Sequence, residues 1–110
     1  MIHQTLHLTN DSEIQDILWA IRDEVGYAEN KFPMWPTDII HSVAIMAEES
    51  GEAVKATLDY ACDRGSADQV REELIQTAAM CVRAISALDA GVVQRPAACG
   101  GPALSTEHKP

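Results

Sequence analysis

The sequence has little positive charge and few aromatic side chains. Of its 110 residues, 8 are Lys or Arg and 17 are Asp or Glu, so the formal net charge is −9 at pH 7. A surface that binds nucleic acid needs clustered Lys and Arg, and this charge balance argues against one. An anionic substrate would have to arrive with its cation. Aromatic residues make up 5% of the chain and hydrophobic residues 46%, an Ala-rich composition that favours close-packed helices over a β-sandwich.

Long apolar runs and paired cysteines are also missing. No apolar run approaches the ~18 residues of a membrane-spanning helix, and no basic segment followed by an apolar one marks a signal peptide. Cys62, Cys81 and Cys99 are odd in number and show no CxxC spacing. This pattern fits a reducing compartment better than a disulfide framework or a zinc knuckle. We therefore expect a cytoplasmic protein without membrane contact.

Apolar residues recur every three or four positions in three segments, the spacing of one helix face. Pro33 and Pro36 lie too close together for a helix to continue through them. The first predicted helix starts near Asn10, Asp11 or Ser12 and ends before Phe32. The second is capped by Thr37 or Asp38 and runs to about Cys62. The third opens at Ser66 and stops at Gly91. The predicted fold class is therefore all-α.

The second helix is apolar on two sides, which is typical of a helix in the middle of a bundle. The side opposite Glu49 carries Ile40, Val43, Ala47, Val54 and Leu58. Two other helices cannot cover both sides, so we expect an identical partner to complete a four-helix-bundle-like core, as a homodimer or homotetramer. The helical domain is predicted over residues 1–90. Residues 91–110, with three glycines and three prolines, are predicted to be a disordered tail.

Two acidic clusters lie inside these apolar helices: Glu48-Glu49-Ser50-Gly51-Glu52 and Glu72-Glu73-Leu74-Ile75-Gln76. At about 100° per residue, Glu49 and Glu52 share one apolar seam, and Glu73 and Gln76 share another. Burying a carboxylate without a counter-charge is unfavourable, and the alternative is a solvated acidic face. Packed together, the two seams offer three carboxylates and an amide oxygen, which suit Mg²⁺ or Mn²⁺ better than Zn²⁺.

These clusters resemble the EExxE and ExxD motifs that MazG-like nucleotide pyrophosphohydrolases, of the all-α NTP pyrophosphatase superfamily, carry on consecutive core helices. Glu48, Glu49 and Glu52 match the first motif. Glu73 matches the second, which has Gln76 where the family usually has Asp. The resemblance extends from about Lys31 through Ile85, and the short form looks like the small members found in bacteria and their phages.

The resemblance implies Mg²⁺-dependent cleavage of a nucleoside triphosphate to a monophosphate and pyrophosphate, in house-cleaning of the nucleotide pool. It makes Glu49, Glu52 and Glu73 metal ligands. Gln76 becomes a fourth ligand or, equally, a buried amide that links two helices. Gln supplies a neutral oxygen where Asp would supply charge, so the ion would be held less tightly or through water. Glu48 would hold a second ion or orient the attacking water.

Three further residues are candidates for substrate binding, each with a structural alternative. Trp35 could stack on a nucleobase or anchor a loop over the core. His41, two turns before Glu49, could contact base or phosphate or only pack between helices. Lys55 could neutralise phosphate near Glu48 or be a surface residue.

Two other functions stay open at the level of sequence. The departure at Gln76 is compatible with a non-catalytic relative that binds a nucleotide or only a metal. The acidic stripe is compatible with a helical dimeric interaction module that pairs with a basic partner. Turnover of a nucleotide in Mg²⁺ distinguishes an enzyme from the non-catalytic relative. Thermal stabilisation by metal separates the second, because a ligand of the folded state raises its stability.

Overall fold

The computed structural model describes Gln4 and residues 10–96, most of which form three α-helices. They are α1 (Asp11–Lys31), α2 (Ile39–Ala61) and α3 (Ala67–Asp89). Within the described residues no strand is formed, which confirms the prediction of an all-α chain with three helices. No helix in this part of the chain has an apolar stretch long enough to cross a membrane.

Side-chain caps start each helix at the positions that the sequence predicts. Asn10 Oδ1 accepts a hydrogen bond from the backbone N–H three residues on, at 2.9 Å. Asp38 Oδ1 accepts one from Ile40 N–H at 2.8 Å, and Ser66 Oγ accepts one from Gln69 N–H at 3.1 Å. Each bond satisfies a donor that has no partner inside the first helical turn. After α3, Gly91 adopts a φ of 73°, a left-handed conformation that favours glycine.

Within one chain α3 is the middle helix, because α1 and α2 both pack on it and, in the described part of the chain, not on each other. The predicted position of α2 in the middle of a bundle concerns the bundle completed by a partner, and it stays a prediction. Small side chains on α3 explain the packing within one chain: Ala79 and Ala87 are buried and let neighbouring helices approach closely. Ala28, Ala79 and Met80 form the buried cluster. A cleft consequently remains between α1 and α2, with α3 as its floor.

The second apolar side of α2 lies on the surface of the single chain. Ile40, Val54 and Leu58 are 58%, 60% and 59% exposed. Large apolar residues are also exposed on the other helices, among them Leu18 of α1 and Leu88 of α3. Contact with another copy would cover such residues, and oligomerisation stays a prediction.

The backbone after α3 returns to the start of α2. Gln94 N–H donates to the Thr37 carbonyl at 2.6 Å, and Ile39 N–H donates to the Gln94 carbonyl at 3.0 Å. These bonds hold the first residues of the predicted tail beside the N-terminus of α2. The rest of that tail, 97–110, lies outside the described residues, so its disorder stays a prediction.

Candidate functional site

The cleft between α1 and α2 has a volume of about 720 Å³, within the usual range for sites that hold small molecules. The charge of the residues that line it changes from one end to the other. The polar pairs, one from each helix, are Glu24 and Lys31 on α1, Glu48 and His41 on α2, and Gln76 and Arg83 on α3. Members of each pair are seven positions apart, or about 10 Å along the helix. Between them lie apolar residues such as Met80.

The two ends of the cleft are therefore chemically different. We call the end with Glu24, Glu48, Glu49 and Gln76 the acidic end. We call the end with Lys31, Trp35, His41 and Arg83 the cationic end. Arg83 contacts the Phe32 carbonyl and the Trp35 ring, and Trp35 bonds to Ser42. The end of α1, the start of α2 and the later half of α3 thus meet at the cationic end, so α2 runs opposite to α1 and α3.

Carboxylates from all three helices converge at the acidic end. Burial raises the pKa of Glu49 above its ordinary value, and the charges of Glu73, Glu52, Glu24 and Glu48 raise it further, in that order. The pKa of Glu24 is also raised, first by burial and then by Glu72 and Glu73. Both shifts come from partial burial and from the neighbouring carboxylates. The acidic end thus disfavours its own negative charge.

Glu73 has a buried oxygen, Oε1, that lacks a hydrogen-bond partner among the described residues. A buried acceptor in this state is unfavourable, and a cation or a donor would relieve it. As the side chains are placed, no three His, Cys, Asp or Glu residues in the described part of the chain stand close enough to hold an ion. For three of these residues to hold one ion, their side chains would have to rotate towards one another.

A second, smaller depression of about 110 Å³ is lined by Glu52, Lys55 and Glu73. Lys55 Nζ lies 3.1 Å from Oδ2 of Asp59, and Arg64 Nε lies 3.8 Å from Oδ1 of the same residue. The Lys55 ammonium is thus paired with Asp59, and Lys55 does not line the cleft. Exposed ion pairs of this kind contribute little to stability.

The structure brings together some of the residues that the sequence predicts for a site and separates others. Glu48, Glu49, Gln76, Trp35 and His41 line the cleft. Glu52, Glu73 and Lys55 line the smaller depression. Glu73 nevertheless acts on the cleft, because its charge raises the pKa of both Glu49 and Glu24.

Trp35 is held at the cationic end by one hydrogen bond and one stacking contact. Its indole Nε1–H donates to Ser42 Oγ at 2.7 Å, and Ser42 is only 1% exposed. The guanidinium carbon of Arg83 lies 4.6 Å from the centroid of the indole ring, a cation–π distance. Trp35 also packs against the core cluster, so it anchors the loop between α1 and α2 while it lines the cleft.

Two cleft residues, Glu24 and Arg83, are absent from the site predicted from the sequence. Glu24 precedes the buried Ala28 by four positions and so shares its face of α1. Arg83 lies four positions from both Ala79 and Ala87, which are also buried. A charged residue inside an apolar stripe is the signal that identifies the two acidic clusters, and it applies equally to these two residues.

Comparison of the chain with protein-family models, curated proteins and solved structures finds no match. The case for a function therefore depends on the motifs of the sequence and on the chemistry of the cleft.

Proposed function

We propose that the chain is a MazG-like nucleotide pyrophosphohydrolase that uses Mg²⁺, or Mn²⁺, to cleave a nucleoside triphosphate into a monophosphate and pyrophosphate. The observation that supports this most is the buried, unpartnered Oε1 of Glu73. It lies in a group with Glu49 and Glu24, whose pKa values are both raised. Perturbed carboxylates at a cleft are typical of functional sites.

The residues of the acidic end fit a hard divalent cation. Glu24, Glu49 and Glu73 offer carboxylates from three helices, and Gln76 offers an amide oxygen. Glu52 would join them from the side of the smaller depression. Coordination would give Glu73 Oε1 the partner that it lacks. When bound, the cation supplies positive charge to the phosphate oxygens and orients them for attack.

Glu24 provides a reason why Gln76 need not inactivate the site. The family pattern has a carboxylate at position 76, and this chain has a neutral amide there. The structure adds the Glu24 carboxylate from α1 to the same cleft, within electrostatic reach of Glu73. A carboxylate missing from α3 would thus be replaced by one from α1, with the total charge of the ligand set preserved.

The cleft is arranged for a ligand with a charged end and a flat apolar end. Phosphates would lie at the acidic end, where the carboxylates hold their cation. The base would lie about 10 Å away at the cationic end, next to Trp35 and His41. Ile45 and Met80 would contact the sugar between them.

Glu48 is the residue proposed to handle the proton in this reaction. It lines the acidic end next to Glu49 and is exposed to the solvent that fills the cleft. The oxygen of an attacking water forms a bond to the α-phosphorus, while the bond from that phosphorus to the bridging oxygen breaks. The electron pair of the broken bond leaves with pyrophosphate, and the proton of the water passes to a Glu48 carboxylate oxygen.

The proposal includes a homodimer or homotetramer, supported by the exposed apolar side of α2. Ile40, Val54 and Leu58 are each more than half exposed in a single chain. We expect light scattering at micromolar protein to give a mass well above 12.0 kDa. A folded species of monomer mass would contradict this part of the proposal.

One observation supports each of the two alternative functions. Gln76, a neutral amide where the family usually has Asp, favours a non-catalytic nucleotide- or metal-binding relative. The exposed apolar residues favour a helical interaction module.

One experiment separates the three functions. The protein is incubated with each canonical ribo- and deoxyribonucleoside triphosphate, in Mg²⁺ or in EDTA, and pyrophosphate release is measured beside the melting temperature. An enzyme releases pyrophosphate only with Mg²⁺. A non-catalytic relative gains thermal stability with Mg²⁺ and nucleotide but shows no release. An interaction module shows neither response, and either of these last two results rejects the proposal.

A further inference from the structure

Arg83 is a buried cation with most of its hydrogen-bonding capacity unused. It is 9% exposed and borders the cleft. Its Nη2 donates to the Phe32 carbonyl at 2.7 Å, which uses one of the five N–H donors of a guanidinium. Among the described residues it forms no ion pair, although Glu29 borders a shallow depression on its other side. Donors are therefore left over for a ligand in the cleft.

The guanidinium is also held in place before any ligand arrives. Its central carbon, Cζ, lies over the indole of Trp35, at 4.6 Å from the ring centroid. Trp35 is in turn fixed by the 2.7 Å hydrogen bond to Ser42, which is buried. A planar fork that is already oriented loses little conformational freedom when it binds, so it can discriminate between ligands by geometry.

The surroundings of Arg83 suit a nucleobase better than a phosphate. Tyr27, Phe32 and Trp35 line the same end of the cleft. Lys31, the nearest cation on α1, lies over two of these rings, at 5.6 Å from Tyr27 and 5.5 Å from Phe32. Flat apolar surfaces stabilise a stacked base, whereas a phosphate would have to give up its hydration next to them.

We propose that Arg83 determines base specificity, by donating two parallel N–H bonds to a base that presents two adjacent acceptors. Guanine does so with O6 and N7, the pairing by which Arg reads guanine in DNA. Cytosine does so with N3 and O2. Adenine presents N7 beside an N6 donor, and uracil alternates acceptors with a donor, so each leaves one N–H of the fork unmatched. The inference rests on the proposed function for the identity of the ligand as a nucleotide.

The test measures the binding of nucleoside 5′-monophosphates by calorimetry at a fixed Mg²⁺ concentration. We expect the native protein to bind GMP, CMP or both about tenfold more tightly than AMP and UMP. If GMP is preferred, 7-deaza-GMP, which lacks the N7 acceptor, should bind as weakly as AMP. In Arg83→Met, which keeps an apolar stem of similar length over Trp35, all monophosphates should bind within about twofold of one another.

Arg22→Met is the matched control. The Arg22 guanidinium also stacks on an indole, at 5.0 Å from the Trp19 ring centroid, but it is exposed on α1 and does not line the cleft. This variant should keep the native base preference. If Arg83→Met does not fold, as judged by circular dichroism, Arg83→Lys replaces it. Lys keeps the charge without the fork and should lose most of the preference.

Several outcomes overturn the inference. One is a native protein that binds all four monophosphates equally, and another is a preference that survives in Arg83→Met. The third outcome combines two results: the native protein shows no base preference, and Arg83→Met binds inorganic pyrophosphate more weakly than the native protein does. Arg83 would then be a residue that holds an anion. Base preference is measured without turnover. A preference with no pyrophosphate release therefore rejects the proposed reaction alone, and release without a preference rejects this inference alone.

Discussion

The two ends of the cleft are built from the same three helices, two turns apart. They differ in how far their charged and hydrogen-bonding groups have partners within the protein. At the cationic end, Trp35 and Arg83 have protein partners, in Ser42 and the Phe32 carbonyl. At the acidic end the carboxylates mainly repel one another, and Glu73 Oε1, from the adjoining smaller depression, has no partner in the described residues. The comparison indicates that the cationic end belongs to the stable fold as well as to the site. The acidic end opposes folding by this repulsion, and under the proposed function a bound cation would relieve it.

The largest expected effect comes from Glu73→Gln, which removes the charge at the oxygen without a partner. We expect Mg²⁺-dependent pyrophosphate release to fall by about 100-fold or more, because even changes to residues that only hold a metal ligand in place cost about 10–100-fold. Glu13→Gln is the matched control, since Glu13 is exposed on α1, lines neither the cleft nor the smaller depression, and undergoes the same chemical change. Equal release by the two variants would show that the acidic end is not the reaction site.

The next effect tests whether the cationic end belongs to the stable fold. Ser42→Ala leaves the part-buried indole N–H of Trp35 without its acceptor, so the free energy of unfolding should fall by about 1–3 kcal/mol. Urea unfolding at constant protein concentration measures this. Ser86→Ala, an exposed substitution on α3, should change stability by less than about 0.5 kcal/mol. If the two changes are equal, the Trp35–Ser42 bond does not stabilise the fold.

A smaller effect is expected from Glu24→Gln, the carboxylate that we propose to compensate for Gln76. The variant should require about tenfold more Mg²⁺ for half-maximal pyrophosphate release, because the ligand set loses one negative charge. Gln76→Asp in the same background should restore the Mg²⁺ requirement, since it returns the carboxylate from α3. A double variant no better than Glu24→Gln would show that the two positions do not share an ion.

The smallest effect concerns stability without metal. The pKa of Glu49 is raised in the folded protein, so the folded state binds the carboxyl proton more tightly than the unfolded chain does. The free energy of unfolding therefore falls as the pH rises from the ordinary pKa of 4.5 through the raised pKa. In EDTA, Glu49→Gln should therefore melt at a higher temperature than the native protein at pH 7. The two should melt alike below pH ~4, where both side chains are neutral.

Mg²⁺ should reverse this order at pH 7, because the native protein gains stability from the ion and Glu49→Gln gains much less. Thermal melts with and without Mg²⁺ measure both differences. A variant that is less stable than the native protein in EDTA would show that the carboxylate is stabilising, against the repulsion inferred for the acidic end.

The sequence alone determined the local features of this protein. The caps at Asn10, Asp38 and Ser66 and the break at Pro33 could be predicted, because each depends on hydrogen bonds or steric contacts within a few residues. The acidic clusters could be identified as unusual for a similar reason, since helical periodicity places a carboxylate among apolar neighbours of its own helix.

Only the tertiary structure decided which helix faces meet. Periodicity gives the direction of a side chain around its own helix, but the partner across the interface depends on how closely the helices can approach. The small residues of α3, such as Ala79, draw α1 and α2 onto its two sides and leave the cleft between them. That arrangement brought Glu24 and Arg83 to the cleft and left Lys55 outside it, because helices far apart in sequence position their side chains together only through packing.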